Sequence, residues 1–411
     1  MNAEILSVGT ELLLGTTTNT DARDVARALS ELGINVFWQT VVGDNPARLT
    51  ECVYRARNRA DLIITTGGLG PTCDDLTKQV IARAFGKELY FDEEAAATLR
   101  ALFADRGAPN FTENNLQQAW LPEGCTVFPN SCGTAPGCAF EADGVRVIML
   151  PGPPRECNAM LREQAVPYLR SLSEDTIRSH MIRMFGIGES AMEEKLRDLM
   201  DGANPTVAPY AKEGECLARV TAKAASPEEC DALMEGVMAE ILERMGDYVY
   251  GVDSEGLEYR ALELLRQEGK TLATAESCTG GLVAERLTSV PGASEAYKGG
   301  VNVYTEEAKC RLLGLDQEYI DENGVVSTAV AGKMARRVRK TLKSDLGIGI
   351  TGWAGPDGDD VGLVYVALAA KGECYVRRLQ LGKQASRARI RTLAANNAFD
   401  MLRRYLTGLE I

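Results

Sequence analysis

Apolar runs of strand length that end in glycine-rich turns and lead into helical patterns recur along this chain. The clearest example is the apolar run at residues 62–66, which enters a glycine-rich turn at 67–75 and is followed by a helical pattern at 76–85. Such alternation predicts an α/β fold, in which a mostly parallel sheet carries helices on both faces. Ligands bind at the carboxyl ends of the strands in sheets of this kind, so we expect functional residues in these turns.

The chain has 411 residues, more than one ordinary core accommodates, and we expect two or three domains. Residues 1–170 show the α/β alternation, and residues 251–411 repeat it with glycine-rich turns of their own. Residues 171–250 form a smaller unit between them. The sequence therefore predicts two α/β domains that flank a small α+β domain.

The small middle unit has strand patterns at 177–184 and 217–222 and a helical pattern at 231–245. A polar, glycine-bearing segment at 251–256 is typical of a linker. The residues predicted to form the apolar face of the helix are Leu233, Val237, Ile241 and Leu242.

Charge and cysteine content narrow the class of protein. The formal net charge of -13 argues against a nucleic-acid binder held by phosphate contacts. Eleven cysteines without a CxxC pair, and with no signal peptide, indicate reduced thiols in a cytoplasmic protein. Apolar stretches all fall short of the roughly 18–20 residues that a membrane helix needs, so we expect no membrane association.

Histidine content restricts the chemistry most. The chain has one histidine, His180, which lies far from every glycine-rich turn. A Ser-His-Asp triad or a histidine-rich metal site is therefore not expected. A serine nucleophile would need another base, and a metal ion would bind mainly to carboxylates.

Residues 274–281 place a serine and two glycines between a predicted strand and the predicted helix 282–287. A strand-to-helix turn of this kind exposes backbone N–H groups at a positive helix end, which suits an anion or a developing oxyanion. The alternative is that Ser277 or Thr279 is a helix N-cap without a catalytic role.

The turn at 67–75 combines glycines with two adjacent aspartates. Glycines allow the backbone to approach a phosphate, and Asp74 and Asp75 are able to hold a divalent cation that neutralises a polyanion. The alternative is a Gly-Pro turn in which one of the two aspartates is the N-cap of the next helix.

Four segments of the N-terminal region, 7–15, 66–77, 133–137 and 150–154, resemble the molybdopterin-binding-like domain of the CinA (competence/damage-inducible protein A) family. The resemblance implies a three-layer α/β/α fold, and some members hydrolyse ADP-ribose with a divalent metal such as cobalt or magnesium. It also implies a KH-like domain at 171–250, which here lacks the GxxG loop that a nucleic-acid-binding KH domain needs. We interpret this domain as a spacer or as a dimer contact in a homodimer, and we do not expect nucleic acid as a partner. The positions that match the family's N-terminal site are Gly67, Gly68, Gly70 and Asp74 for substrate, and Asp75, Asp44 and Glu11 for metal.

Segments 274–281, 299–309 and 351–358 resemble the CinA C-terminal domain, which also occurs alone as nicotinamide mononucleotide deamidase. The resemblance implies a serine nucleophile, Ser277, and a lysine base, Lys309, with Tyr304 as an auxiliary residue and with no cofactor. Desolvation would lower the pKa of the lysine and free its amine. The further substrate-binding positions are Thr279, Gly280, Gly281, Thr351 and Gly352 near the carboxamide, and Arg387 and Arg391 near the phosphate.

Each of these C-terminal assignments has a structural alternative. The alternative for Lys309 is an exposed lysine on a helix, and the alternative for Tyr304 is a core residue. The alternative for Arg387 and Arg391 is a solvated helix face. The sequence also departs from the family pattern, because Trp353 replaces an aliphatic residue and the loop after Gly358 is short.

Three functions remain after these considerations. The first is a bifunctional enzyme that cleaves ADP-ribose and deamidates nicotinamide mononucleotide. The second is a deamidase with an inactive or ligand-binding N-terminal domain. The third is a non-catalytic, nucleotide-binding protein associated with competence or DNA damage.

Overall fold

The structure, a computed structural model, describes residues 1–105, 111–172, 176–356, 358 and 360–411. They divide into two compact units. The first contains Met1–Arg178 with Lys223–Cys230, and the second contains Ser179–Ala222 with Asp231–Ile411. The predicted middle unit thus lies mostly in the same compact unit as the C-terminal region.

The first unit is built on a six-stranded sheet of order β2-β1-β3-β8-β7-β6. β2, β1, β3 and β8 are parallel, and β7 and β6 continue the sheet antiparallel. The strands of this unit are β1 (Asn2–Val8), β2 (Asn35–Val42), β3 (Leu62–Thr66), β4 (Leu89–Phe91), β5 (Trp120–Pro122), β6 (Thr126–Phe128), β7 (Gly137–Ala142) and β8 (Val145–Leu150). Its helices are α1 (Thr10–Leu13), α2 (Thr20–Glu31), α3 (Pro46–Arg57), α4 (Thr77–Ala84), α5 (Glu93–Asp105), α6 (Pro154–Met160) and α7 (Val166–Ser171).

Alternate residues of each central strand pack on opposite faces of this sheet. Leu6 of β1 joins a core with Val53 of α3, whereas Ile5 joins a separate core with Val25 of α2. Side chains of a strand alternate with a period of two, so both faces are covered by helices and the strand itself is fully buried. The α/β prediction is confirmed for this region.

The second unit contains two sheets. The smaller has the order β10-β11-β9-β12, and the larger has the order β14-β13-β15-β16-β17. The strands are β9 (Thr176–Phe185), β10 (Thr206–Lys212), β11 (Glu215–Ala224), β12 (Val249–Val252), β13 (Leu272–Glu276), β14 (Tyr297–Asn302), β15 (Leu346–Gly352), β16 (Leu363–Ala369) and β17 (Cys374–Gln380). The helices are α8 (Glu189–Met200), α9 (Pro227–Met245), α10 (Leu257–Gln267), α11 (Leu282–Thr288), α12 (Glu306–Leu313), α13 (Gln317–Asn323), α14 (Thr328–Thr341) and α15 (Arg387–Thr407).

In the larger sheet β13 lies between β14 and β15 and is parallel to both, whereas β16 and β17 form an antiparallel hairpin. Leu272 of β13 packs with residues of α10, α11 and α15, and Ala273 packs with residues of α12, α13 and α14. The carboxyl ends of β13 and β15 therefore emerge side by side between two helical layers.

Two predictions for the middle unit were wrong in part. Helix α9 begins at Pro227 and buries Cys230, Met234, Ile241 and Met245, so Ile241 is confirmed, whereas Leu233 and Leu242 are 43% and 38% exposed. The predicted face was rotated because it was placed on the leucines and left out the buried cysteine and methionines. The predicted linker begins inside a strand, since Gly251 pairs with Arg183 of β9.

Helix α15 connects the two sheets of the second unit through a buried arginine. Arg403 donates to the backbone carbonyls of Val249 (3.1 Å) and Asp247 (2.9 Å), and it forms an ion pair with Asp400 (2.8 Å). Its side chain is 4% exposed. The guanidinium is therefore satisfied by carbonyls at the start of β12 as well as by its own helix.

No helix in the described part of the chain is both long and apolar enough to cross a membrane.

Close approach of α14 to β15 depends on glycine. A Cβ added at Gly349 would clash with Ala331 O and lie 2.6 Å from Ala335 N, both backbone atoms of α14. Backbone cannot rotate away as a side chain can, so Gly349→Ala is expected to lower the free energy of unfolding by ~1–3 kcal/mol. Chemical denaturation monitored by circular dichroism measures this.

The matched control for that prediction is Gly236→Ala. Gly236 lies inside α9, and an added Cβ there meets nothing within 4 Å. Alanine is the better helix former, so this variant is expected to gain ~0.5–1 kcal/mol. Equal effects of the two substitutions would contradict the packing argument.

Candidate active site

The turn after β13 holds Ser277 in a fixed backbone position. Ser277 N donates to Ile350 O of β15 (3.0 Å), Gly280 N donates to Ser277 O (3.0 Å), and Leu282 N donates to Thr279 O (3.3 Å). The left-handed conformation of Gly281 (φ 91°) then directs the chain into α11. The serine thus lies at the carboxyl edge of the sheet, where an α/β fold places its ligands.

A buried carboxylate occupies the start of α11. Glu276, which is 1% exposed, accepts hydrogen bonds from Val283 N (3.1 Å) and Ala284 N (2.9 Å). The first-turn N–H groups and the positive helix end are therefore already satisfied. The predicted anion site at this helix end was wrong, and so was the alternative of a Ser277 or Thr279 cap, because Gly281 is the N-cap.

Lys309 lies against the serine. Its Nζ is 3.1 Å from Ser277 Oγ and 3.0 Å from Val303 O, and the residue is 1% exposed. Thr305 caps α12 by accepting a hydrogen bond from Ala308 N (3.1 Å), which fixes the helical turn that carries the lysine. The alternative of an exposed helix lysine is wrong.

Burial controls the ionisation of this lysine. Desolvation lowers the pKa of Lys309, and the negative charges of groups such as Glu306 oppose that shift only partly. No ion pair with a carboxylate involves Lys309 among the described residues. The lowered pKa increases the share of neutral amine, which is the form that can accept a proton from the serine hydroxyl.

A cavity of about 300 Å³ opens beside Ser277. The turn after β13, the start of α12, the end of β15 and the first residue of α15 line it. Cys278 also lines it, but burial raises the pKa of that thiol to about 12, so the cysteine remains protonated at neutral pH. Of these two side chains, Ser277 is therefore the one that contacts a candidate base. The predicted substrate-binding residues that line the cavity are Thr351, Gly352 and Arg387.

Tyr304 and Arg387 lie at the solvent side of the cavity. Tyr304 is 60% exposed, and its hydroxyl accepts a hydrogen bond from Arg387 Nη2 (2.5 Å). Arg387 Nη1 donates to Gly355 O (2.6 Å). Tyr304 is therefore neither a core residue nor the orienting partner of the lysine, and its contact is with the predicted phosphate ligand instead.

The remaining predicted substrate-binding residues of the C-terminal site stabilise the turn that carries Ser277 and are not part of the cavity lining. Arg391 donates to Thr279 O from both Nε (3.1 Å) and Nη2 (2.7 Å). Gly280 N is used by Ser277 O, so it is not available as an oxyanion donor. Thr279, Gly280, Gly281 and Arg391 thus shape the serine turn and do not contact the cavity.

Trp353 stands at the cavity mouth with 45% of its surface exposed. Its backbone N donates to Leu363 O and its O accepts from Gly362 N, both at 2.8 Å. The short loop noted in the sequence after Gly358 includes Asp359, which lies outside the described residues.

The predicted N-terminal site residues also share one cavity, of about 520 Å³. Asp75 Oδ2 accepts hydrogen bonds from Thr72 N (2.9 Å) and Thr72 Oγ1 (2.5 Å), and Asp44 Oδ2 accepts one from Thr10 N (2.8 Å). The N-cap of α4 is Leu76, so neither aspartate of the turn is that cap. The predicted residues that line this cavity are Glu11, Asp44, Gly67, Gly68, Gly70, Asp74 and Asp75.

The acidic residues of this cavity do not form a metal site by themselves. Within the described ranges, no three His, Cys, Asp or Glu side chains lie close enough together to hold a metal ion. Asp75 and Asp44 are instead held by hydrogen bonds from Thr72 and Thr10. Joint metal binding by Asp75, Asp44 and Glu11 is not tested by the protein alone and stays a prediction.

The sequence reasoning missed Glu276 and Glu306. A carboxylate at the last position of a buried strand, directly before a turn and helix, is the signal that points to Glu276 as a helix cap. Glu306 lines the serine cavity, and its position three residues before Lys309 places the two on the same side of α12.

Comparison with known protein families assigns all three regions of the chain. A model described as "Probable molybdopterin binding domain" matches residues 4–171, a model of the "Damage-inducible protein CinA KH domain" matches 179–251, and a model of the "CinA C-terminal domain" matches 254–406.

Individual relatives match over the whole length. A CinA-like protein of Dictyoglomus turgidum is 47% identical over 414 residues, covering 100% of both chains, and one of Desulfovibrio desulfuricans is 49% identical over 417 residues, covering 100% of this chain and 97% of the relative. The crystal structure of CinA from Thermoplasma acidophilum is 35% identical, covers 40% of this chain and 97% of its own, and has a TM-score of 0.37. On the strength of the full-length sequence identity, this chain belongs to the CinA family.

Proposed function

We propose that the C-terminal cavity hydrolyses the carboxamide of nicotinamide mononucleotide to nicotinic acid mononucleotide and ammonia. The observation that carries the proposal is the 3.1 Å contact between Lys309 Nζ and Ser277 Oγ, made by a lysine that is 1% exposed. A serine paired with a desolvated lysine is a known way to activate a hydroxyl nucleophile without histidine.

The first half of the reaction acylates the serine. Neutral Lys309 takes the proton of Ser277 Oγ as that oxygen forms a bond to the carboxamide carbon. The carbonyl oxygen of the substrate becomes an oxyanion in the tetrahedral intermediate. When the intermediate collapses, the C–N bond breaks, and the ammonium of Lys309 returns its proton to the departing nitrogen, which leaves as ammonia.

The second half returns the enzyme to its starting state. Lys309, again neutral, takes a proton from water as the water oxygen attacks the acyl carbon. The ester bond to Ser277 breaks, the serine regains a proton from the lysine, and the carboxylic acid product leaves. Atoms and charges balance, since one amide and one water give one acid and one ammonia.

The residues near the rim supply binding. Arg387 is directed to the cavity by Gly355 O and Tyr304 Oη, and its charge suits the 5′-phosphate of the mononucleotide. Thr351 and Gly352 line the cavity at the end of β15, where their backbone remains the candidate for the oxyanion site.

Ammonia release from nicotinamide mononucleotide tests the proposal. Wild-type protein is expected to release ammonia, and both Ser277→Ala and Lys309→Ala are expected to lose at least ~10³-fold in kcat. A coupled glutamate dehydrogenase assay measures the ammonia.

Matched controls for these variants are Ser289→Ala and Lys298→Ala. Both residues are exposed and lie outside the described lining of the cavity, so they remove the same chemical groups away from the site. No ammonia release by folded wild-type protein would overturn the amidase and favour a non-catalytic, nucleotide-binding domain. Activity that survives Ser277→Ala would show that another residue is the nucleophile.

The pH dependence of kcat/KM follows from the lowered pKa of Lys309. Only the deprotonated amine accepts the serine proton, so the rate is expected to rise with pH and to level off above the pKa of Lys309. Because burial lowers that pKa, the plateau should begin below the ordinary range of lysine. Lys309→Arg is expected to be inactive throughout, since guanidinium stays protonated; a flat wild-type profile between about pH 6 and 10 would contradict the role of the lysine.

The N-terminal cavity supports a second activity. We propose that it binds the pyrophosphate of ADP-ribose, because the glycine-rich turn 67–70 and the four predicted acidic residues line one cavity of about 520 Å³. Hydrolysis there would need a divalent cation held jointly by protein and substrate, since the carboxylates alone do not form a metal site.

Turnover of ADP-ribose with and without added Co²⁺ or Mg²⁺ tests this second activity. Hydrolysis is expected to require the added cation and to be lost in the Asp74→Ala/Asp75→Ala double variant, which should still release ammonia from nicotinamide mononucleotide. Binding of ADP-ribose without hydrolysis under all metal conditions would restrict the N-terminal domain to a ligand-binding role.

A further inference from the structure

An exposed tryptophan borders the serine cavity. Trp353 is 45% exposed although it follows directly on the buried strand β15. Burial of apolar surface stabilises a fold by ~25 cal/mol per Å², and the exposed part of a large aromatic side chain does not contribute this stabilisation. Its place at the mouth of a cavity that contains the nucleophile indicates a ligand as the missing contact.

The backbone holds this tryptophan in place. Trp353 N donates to Leu363 O, Trp353 O accepts from Gly362 N, and Leu381 N donates to Gly362 O, all at 2.8 Å. The residue therefore continues the pairing of the β15–β16 edge into the cavity mouth. An aromatic surface on a paired backbone is presented to a ligand with little loss of conformational entropy.

The position of the nucleophile determines what lies beside Trp353. Ser277 is 7% exposed and Lys309 is 1% exposed, so the carboxamide has to enter the inner end of the cavity. In nicotinamide mononucleotide the carboxamide is bonded directly to the pyridinium ring. The ring therefore follows it into the cavity, between the serine and the aromatic side chains of Trp353 and Tyr304 at the mouth.

The charges of the lining suit a cationic ring. The face of an aromatic side chain attracts a cation. Glu306 adds a carboxylate to the same lining, where Gln317 Nε2 donates to its Oε2 (2.9 Å). Among the described residues of the lining, Arg387 is the one permanently charged cation, and it donates to Gly355 O and Tyr304 Oη at the rim.

We propose that Trp353 is a specificity-determining residue that selects the positively charged pyridinium ring over neutral aromatic amides. The inference rests on the proposed amidase function of this cavity. Trp353 acts by binding the ring face, and Glu306 contributes to the same preference through its charge. The site thereby favours oxidised, N-alkylated nicotinamide compounds as its substrate class.

Two ligands that differ in ring charge test the proposal. Nicotinamide mononucleotide has a cationic ring, whereas its reduced form has a neutral dihydropyridine ring and the same ribosyl phosphate. Affinities for both are measured by isothermal titration calorimetry in the Ser277→Ala background, which prevents turnover. The expected result is tighter binding of the oxidised form, with a preference that falls about five- to thirtyfold in Ser277→Ala/Trp353→Leu.

Two further variants sharpen the result. Trp353→Phe retains an aromatic face and is expected to keep most of the preference, whereas Tyr375→Leu, which removes an exposed aromatic side chain on β17 away from the cavity, is expected to leave it unchanged. In the presence of Ser277, Trp353→Leu should raise KM for the oxidised form more than it changes kcat.

The outcomes separate this inference from the proposed function. Ammonia release by wild-type protein together with an unchanged ring preference in Trp353→Leu would overturn the role of Trp353 alone. A tryptophan-dependent preference for the cationic ring without ammonia release by wild-type protein would support ring selection and overturn the amidase. Equal losses of affinity for the oxidised and reduced forms in Trp353→Leu would also overturn charge selection, because they would mean that Trp353 contacts the ring without distinguishing its charge.

Discussion

The burial of one lysine beside one serine is the constraint on which the C-terminal site depends. A charged ammonium is costly to bury, and the lysine finds a hydroxyl and a carbonyl as its hydrogen-bond partners at Nζ. The free energy of the fold therefore favours the neutral amine, which is also the form that a base requires. An ion pair with a carboxylate would raise the pKa of Lys309 and keep the amine protonated, so it could not accept the proton of the serine.

The surrounding scaffold keeps these two side chains together although they come from different elements. Glu276 ties the end of β13 to the first turn of α11, and Ser277 N is tied to β15. Gly349 lets α14 pack closely on β15, which carries the strand end that lines the cavity. None of these contacts uses Ser277 Oγ or Lys309 Nζ, and each limits the freedom of the turn on which the serine lies.

The alternation of strands and helices was enough to predict the α/β class, because buried strands and amphipathic helices differ in period. The pairing of Ser277 with Lys309 came from resemblance to a family, since residues 32 positions apart have no periodic relation. Side-chain direction was not predictable: Tyr304 binds Arg387 rather than the lysine, and Arg391 binds the serine turn rather than the cavity. Those directions depend on which carbonyls and hydroxyls the tertiary structure brings within reach, and the sequence pattern contains no such information. The face of α9 was misplaced for a simpler reason, because the prediction relied on leucines that are exposed and left out the buried side chains of Cys230, Met234 and Met245.

Arg403 has a consequence for where this chain can be divided. The sequence predicts a domain boundary at residue 251, which lies inside strand β12 (Val249–Val252). Two of the carbonyls that satisfy the buried guanidinium, those of Asp247 and Val249, lie on the far side of that boundary. A fragment that starts at residue 251 would leave a charged group, with its partner Asp400, facing an uncovered surface. The boundary predicted from the sequence therefore differs from the boundary of the stable folding unit, because the stable unit also needs the residues at the start of β12.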